Sequence, residues 1–261
     1  MTLPAYPAMF WVTAVIAMIL IGISKAGFGS GVGLIATPLL ALTISVADAA
    51  ALLLPLLIIA DMFSIYYHWG NYDRRIVRLM IPAAAVGIVI GAMFFGLFSR
   101  NERILKLGIG LLAVSFVVFE LFRTRIFDRL KEKRPSPLTG ILFSGLAGFT
   151  STLAHAGGPP ATIYLLPQKL PRQVFVGTTV VFFAAVNLIK LIPYSYLGLL
   201  RLGNLTTVLV LSPLAYVGVR IGVYLNGRFT DKWFNRLIYT FLFFTGLQLI
   251  VGKNLLTLLF N

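Results

Sequence analysis

Six stretches of this chain carry about 18 or more mostly apolar residues, the length that crosses the ~30 Å hydrocarbon layer of a bilayer as a helix. They cover roughly 46–67, 76–98, 104–122, 174–191, 205–225 and 233–252. Backbone N–H and C=O groups find no water in lipid, so a spanning chain forms either helices or a closed barrel. Barrel strands alternate polar and apolar residues, whereas these runs are continuously apolar. The expected fold is therefore all-α, a polytopic integral membrane protein. The start of the chain has no basic segment followed by a small-residue cleavage pattern, so no removable signal peptide is expected. The absence of cysteine excludes disulfides, thiolate catalysis and cysteine metal sites.

A net charge of +14 raises the question of nucleic acid. Most of the basic residues, however, flank the apolar runs in short loops. That placement follows the positive-inside rule and meets anionic lipid headgroups. The bilayer is the expected partner, and nucleic acid is not.

The sequence repeats itself. Residues 82–99 align without gaps to 213–230, with eight of 18 positions identical, among them Pro82/Pro213, Gly87/Gly218, Gly91/Gly222 and Gly96/Gly227. Residues 31–40 match 156–165 in the same order, with Gly33/Gly158, Ala36/Ala161, Thr37/Thr162 and Leu40/Leu165 identical. This divides the chain into a first membrane repeat (1–123), a basic linker (124–137) and a second membrane repeat (138–261). Each repeat opens with two short apolar segments, 9–22 and 32–43 in the first, 138–153 and 159–166 in the second. At 1.5 Å per residue they extend about 12 to 24 Å, and each pair is expected to form a re-entrant or broken hairpin. Glycine-rich breaks, 22–31 and 154–158, separate the two segments of each pair.

If each pair enters and leaves on one side, three long helices follow and the repeats are inverted. One side then receives 14 Lys and Arg residues in its loops and the other five; the parallel arrangement splits them 11 to 8. The positive-inside rule selects the inverted arrangement, with the linker cytoplasmic and both termini external.

Helix N-termini present free N–H groups and partial positive charge, and glycine lets a ligand approach the backbone. The breaks therefore nominate Ser30, Gly31, Gly33, Gly157 and Gly158 as anion-binding residues, with Pro159-Pro160 suited to a first helical turn. Lys25 and His155 stand beside the breaks. Lys25 is placed to neutralise an anion or to snorkel toward a headgroup, and His155 to donate hydrogen bonds or carry a proton. Asp61 and Asn187 are repeat counterparts 126 residues apart. Lys190 follows Asn187 by one turn, with Pro193 expected to break the helix after it. Lys190 can face the substrate while Asp61 relays protons, or the two can form a structural pair. Ser45 to Asp48 has capping-box spacing. Arg220, Lys106 and Glu120 fall near helix ends, and the paired glycines 87/91 and 218/222 read as helix-packing motifs.

The hairpins GISKAGFGSGVGLIATPLL and GFTSTLAHAGGPPATIYLL resemble those of the TauE/SafE sulfite exporter family, as do Asn187-Leu-Ile-Lys190 and the P-x4-G-x3-G element of each half. The resemblance covers about 10–250 and implies a secondary transporter of the bacterial or archaeal cytoplasmic membrane. Its implied substrate is a small anion such as sulfite or an organosulfonate, and it implies a role for Lys25, Asn187 and Lys190. No cofactor or metal is expected, and a homo-oligomer remains open. No Walker-type phosphate loop is present, which argues against a primary pump. The alternatives are an anion channel, an accessory subunit, or an intramembrane hydrolase using Ser30 and His155. The last is disfavoured because Phe28 stands where a G-x-S-x-G elbow needs glycine.

The charge split makes a topological prediction. Reporter fusions should place Met1 and Asn261 outside and the 124–137 linker inside; a cytoplasmic C-terminus would reject the inverted arrangement.

Overall fold

The structure is a computed structural model that describes residues 6–28, 32–98, 101–130, 135–200, 205–225 and 231–252. Its helices are α1 (Ala8–Ile23), α2 (Ala36–Leu40), α3 (Val46–His68), α4 (Arg74–Phe98), α5 (Glu102–Leu130), α6 (Pro137–Ala154), α7 (Gly158–Leu165), α8 (Arg172–Tyr196), α9 (Leu205–Leu225) and α10 (Asp231–Val251). No strand occurs among the described residues. Seven helical stretches are long and apolar enough to cross a bilayer, and the chain is a multi-pass α-helical membrane protein.

The six long runs read from the sequence appear as α3, α4, α5, α8, α9 and α10. The capping box forms at the start of α3, where the Asp48 N–H donates to Ser45 Oγ at 3.0 Å. Three expectations are corrected. The opening segments of the two pairs are not short: α1 continues through a π-turn, Ser24–Phe28, and α6 has 18 residues, so both reach spanning length. The short members are α7 and the Val32–Ile35 turn that runs into α2. Pro193 does not end its helix, because α8 continues to Tyr196. The linker is also shorter than 124–137: α5 runs on to Leu130, and Ser136 already caps α6.

The packing follows from small residues. On α9, a Cβ at Gly218 would sit 2.7 Å from the Ile19 carbonyl oxygen of α1, and one at Gly222 would sit 2.5 Å from that of Ile23. On α4, Gly87 rests in the same way on the Gly145 carbonyl of α6, and Gly91 lies 2.9 Å from that of Phe149 by the same measure. Ile19 and Gly145, like Ile23 and Phe149, are 126 residues apart, while both glycine pairs are 131 apart. Each contact thus has a counterpart in the other half. Residue numbers rise together along both pairs, so α1 runs parallel to α9 and α4 parallel to α6.

The counterpart helices themselves meet antiparallel. The start of α8 lies at the end of α3, where the Asp73 N–H donates to Thr178 Oγ1 at 2.9 Å and Gly177 touches Asn71. At the other pair, Arg103 of α5 donates to the Leu249 and Ile250 carbonyls at the end of α10, at 3.1 and 2.6 Å.

Close backbone approach makes these glycines intolerant of a side chain. Gly218→Val and Gly87→Val should destabilise the folded protein by about 1–3 kcal/mol or more, as overpacking does. Gly108, on α5, has nothing within 4 Å of a built Cβ, so Gly108→Ala should leave yield and melting unchanged. Thermal melts of the detergent-purified variants measure the difference.

Candidate functional site

The centre of the molecule is polar where an apolar interior would be cheaper. Asp61, Asn187 and Lys190 are all buried, Lys190 completely so. Charges in such surroundings persist only with partners. Asp61 has two: Lys25 Nζ forms an ion pair with Oδ1, and Asn187 Nδ2 donates to Oδ2 at 2.7 Å. Lys25 also donates to the Leu57 carbonyl at 3.2 Å. Asp61 and Asn187 therefore meet at the junction of α3 and α8, and the repeat counterparts touch each other.

Lys190 is held differently. Its ammonium donates to the Ser151 carbonyl at 3.2 Å, to Ser151 Oγ at 3.0 Å and to His155 Nδ1 at 2.8 Å. His155 Nε2 lies 3.1 Å from the Ala50 carbonyl oxygen. An ammonium only donates and a carbonyl only accepts, so Nδ1 is the acceptor and Nε2 carries the hydrogen, as in the neutral imidazole. Two lysines, Lys25 and Lys190, one carboxylate, Asp61, and His155 are thus gathered at the polar centre.

Backbone geometry holds the breaks in place. The π-turn frees the Ala26 carbonyl, which pairs with His68 Nε2 at 3.0 Å. In the other half, Tyr194 Oη donates to the Thr152 carbonyl at 2.8 Å. Both members of this pair of ties are 126 residues apart, although one uses imidazole and the other phenol. His155 ends α6 in the left-handed region, with φ of 52°. Glycine is the usual residue there. A histidine at that position fits a need for its side chain, which reaches both Lys190 and Ala50.

The two breaks reach α3 at different levels: Ala26 lies against His68 at one end and His155 against Ala50 near the other, two anchor residues about 27 Å apart along the helix. Between the breaks lies a small cavity lined by Lys25, Asp61 and Asn187, by Ser151, His155 and Gly158, and by Thr179 and Phe183.

Of the residues nominated from sequence, the cavity gathers Lys25, Asp61, His155, Gly158 and Asn187. Lys190 stands behind it, one contact removed through Ser151 and His155. Gly157 faces protein: a Cβ there would lie 2.6 Å from the Ala147 carbonyl and 2.9 Å from the Phe183 ring. Gly33 belongs to the Val32–Ile35 turn, and Ser30 and Gly31 lie outside the described residues. Most amides of the second break are already used, since His155 N–H donates to Ser151 and Ala156 N–H to Thr150. Gly158, at the first position of α7, retains an N–H of the kind a helix leaves without an internal partner. Sequence reasoning missed Ser151, Thr179, His68 and Tyr194. The repeat offset of 126 carried a signal for Ser151, the counterpart of Lys25, and for the two ties.

The family model for the sulfite exporter TauE/SafE matches residues 14–249. The chain belongs to that family. Searches of curated proteins and of solved structures find no match. Membership makes this a membrane transporter of the sulfite and sulfonate type.

Lys25 lines the cavity and Lys190 does not, so their neutral variants should separate. Lys25→Gln should weaken sulfite binding tenfold or more, and Lys190→Gln by less. Lys190→Gln and His155→Gln should combine non-additively, because the second change removes a contact the first has already broken. Equilibrium binding to the purified variants gives all of these values.

Proposed function

We propose that the protein is a secondary carrier that exports a small oxyanion, sulfite foremost, across the cytoplasmic membrane. The observation that carries this reading is a buried cavity lined by Lys25, Asn187 and Ser151, with a second lysine, Lys190, behind its wall. Such a chamber gains most from a guest that brings a negative charge and accepts hydrogen bonds. Lys25, Asn187, Ser151 and the Gly158 N–H are the donors available to it, while Lys190 and His155 hold the wall and Asp61 balances Lys25.

Size narrows the guest. The cavity leaves about 40 Å³ for the centres of water-sized guests. One water needs about 10–15 Å³ on that measure, so there is room for about three or four non-hydrogen atoms. Sulfite has four and methanesulfonate, one atom larger, stays close to that limit, whereas taurine and sulfoacetate are about twice as large. An inside-negative potential supplies about 2.3 kcal/mol per charge per 100 mV toward expelling an anion, so export requires no nucleotide.

The antiparallel meeting of α3 with α8 and of α5 with α10 supports two inverted repeats, 1–123 and 138–261, related by an axis through Asp61 and Asn187. Central sites at the interface of inverted repeats are a recurring design of secondary transporters. With the charge split, this reading puts both termini outside. Catalysis is disfavoured by His155 itself, whose two ring nitrogens are engaged by Lys190 and Ala50.

Proteoliposomes loaded with sulfite should accumulate labelled sulfite by saturable counterflow, blocked by unlabelled sulfite and hardly affected by taurine or sulfoacetate. Current that rises with voltage and does not saturate would instead identify a channel.

A further inference from the structure

Asp61 poses a problem for any anion that enters the cavity. The carboxylate and the cavity ammonium of Lys25 already form an ion pair, and both groups face the same small space. The second oxygen of Asp61 is also occupied, by the Asn187 amide at 2.7 Å. An arriving anion meets a cation that has a partner and a fixed negative charge within a few ångströms. We propose that the anion takes over Lys25 from Asp61 and that Asp61 takes up one proton as it does so, which makes the carrier a proton–anion symporter at this site. The inference rests on the anion-carrier reading and adds the coupling ion to it.

The chemistry closes without further groups. One proton from water binds one Asp61 oxygen, the repulsion between carboxylate and cargo disappears, and the Lys25 ammonium turns to the anion. Asn187 suits both states: its NH2 donates to the carboxylate, and its amide turned over presents a carbonyl to the acid hydrogen. Sulfite dianion and proton then leave together with one net negative charge, which the inside-negative potential still drives outward, and the Lys25–Asp61 pair re-forms to close the empty chamber.

Asp61 is the one carboxylate among the described residues that line the cavity, which makes it the group that takes up this proton. Lys25 reaches it from the π-turn, and Asn187 from α8. Lys190, also on α8, is held by Ser151 and His155, and His155 by Lys190 and Ala50. From α9, Arg220 is exposed and donates to Tyr67 at 3.1 Å. From α5, Glu102 and Lys106 pair with each other at the far end of α3, where Glu102 also accepts from the Val46 N–H. The α2 segment, Ala36–Leu40, carries no titratable side chain.

Calorimetry of the full-length protein in buffers of different ionisation enthalpy measures protons bound per anion. Methanesulfonate, which stays ionised, separates the carrier's proton from the cargo's own titration; sulfite at alkaline pH, whose dianion can itself be protonated on binding, is the comparison probe. Wild type should take up about one proton per anion, and its affinity should fall about tenfold per pH unit as pH rises through the alkaline range. Asp61→Asn should bind methanesulfonate with no proton uptake and no pH slope. Binding by wild type without proton uptake would overturn the inference and leave the carrier reading intact. Uptake that survives in Asp61→Asn and disappears in His155→Gln would move the proton to His155 and also overturn it. No binding of either probe by wild type would remove the carrier reading and this inference together. The wild-type measurement needs no variant, so a misfolded Asp61→Asn leaves the test standing.

Discussion

A carboxylate held between an ammonium on one side and an amide on the other is the interaction around which this protein is arranged. Asp61 sits near the middle of α3, in surroundings where a lone charge would be expelled or neutralised. Lys25 comes to it from the first break and Asn187 from α8, so three separate elements converge on one side chain. The ion pair lies within the first half, and the amide contact joins the two halves. Removing either would leave a buried polar group unmatched. The cavity exists because these groups prevent the helices from closing over apolar side chains alone.

The second constraint is that lipid offers no partner to a broken helix. Two chain breaks inside a membrane protein leave carbonyls that must be satisfied from elsewhere. Here His68 answers Ala26, and Tyr194 answers Thr152, at counterpart positions. Thr150 adds a third tie by donating to the Ala156 carbonyl at 3.0 Å. The chemistry differs between halves while the geometry is kept, which is what relaxed sequence identity over a retained backbone looks like. The same divergence produced the charge asymmetry. Lys25 faces a counterpart Ser151, and Lys190 a counterpart Ser64, so each half contributes one ammonium to the centre from a different element.

Glycine makes the framework possible. Apolar surface gains nothing from leaving lipid for another helix, so association rests on close van der Waals fit. The paired glycines of α4 and α9 let their backbones lie directly on the carbonyls of α6 and α1. This fixes the two opening helices, and with them the breaks, at a set distance from α3 and α8.

The sequence by itself determined the membrane class, the span of the six long helices and most of the polar centre. Continuous apolar runs admit no other fold in lipid, and buried charges are rare enough there to stand out. Lys25, Asp61, His155 and Asn187 were legible for that reason. Tertiary structure decided what periodicity cannot encode. It continued α1 through the Ser24–Phe28 π-turn, because helical continuity there is set by packing rather than by hydropathy. It set Lys190 behind Ser151 and His155, because those partners at the end of α6 draw its ammonium away from the cavity. It turned Gly157 toward α6 and put His155 in the left-handed region, where its two nitrogens bridge the halves. Those choices depend on contacts between residues more than 100 positions apart, such as His155 with Ala50, and no local pattern in the chain records them.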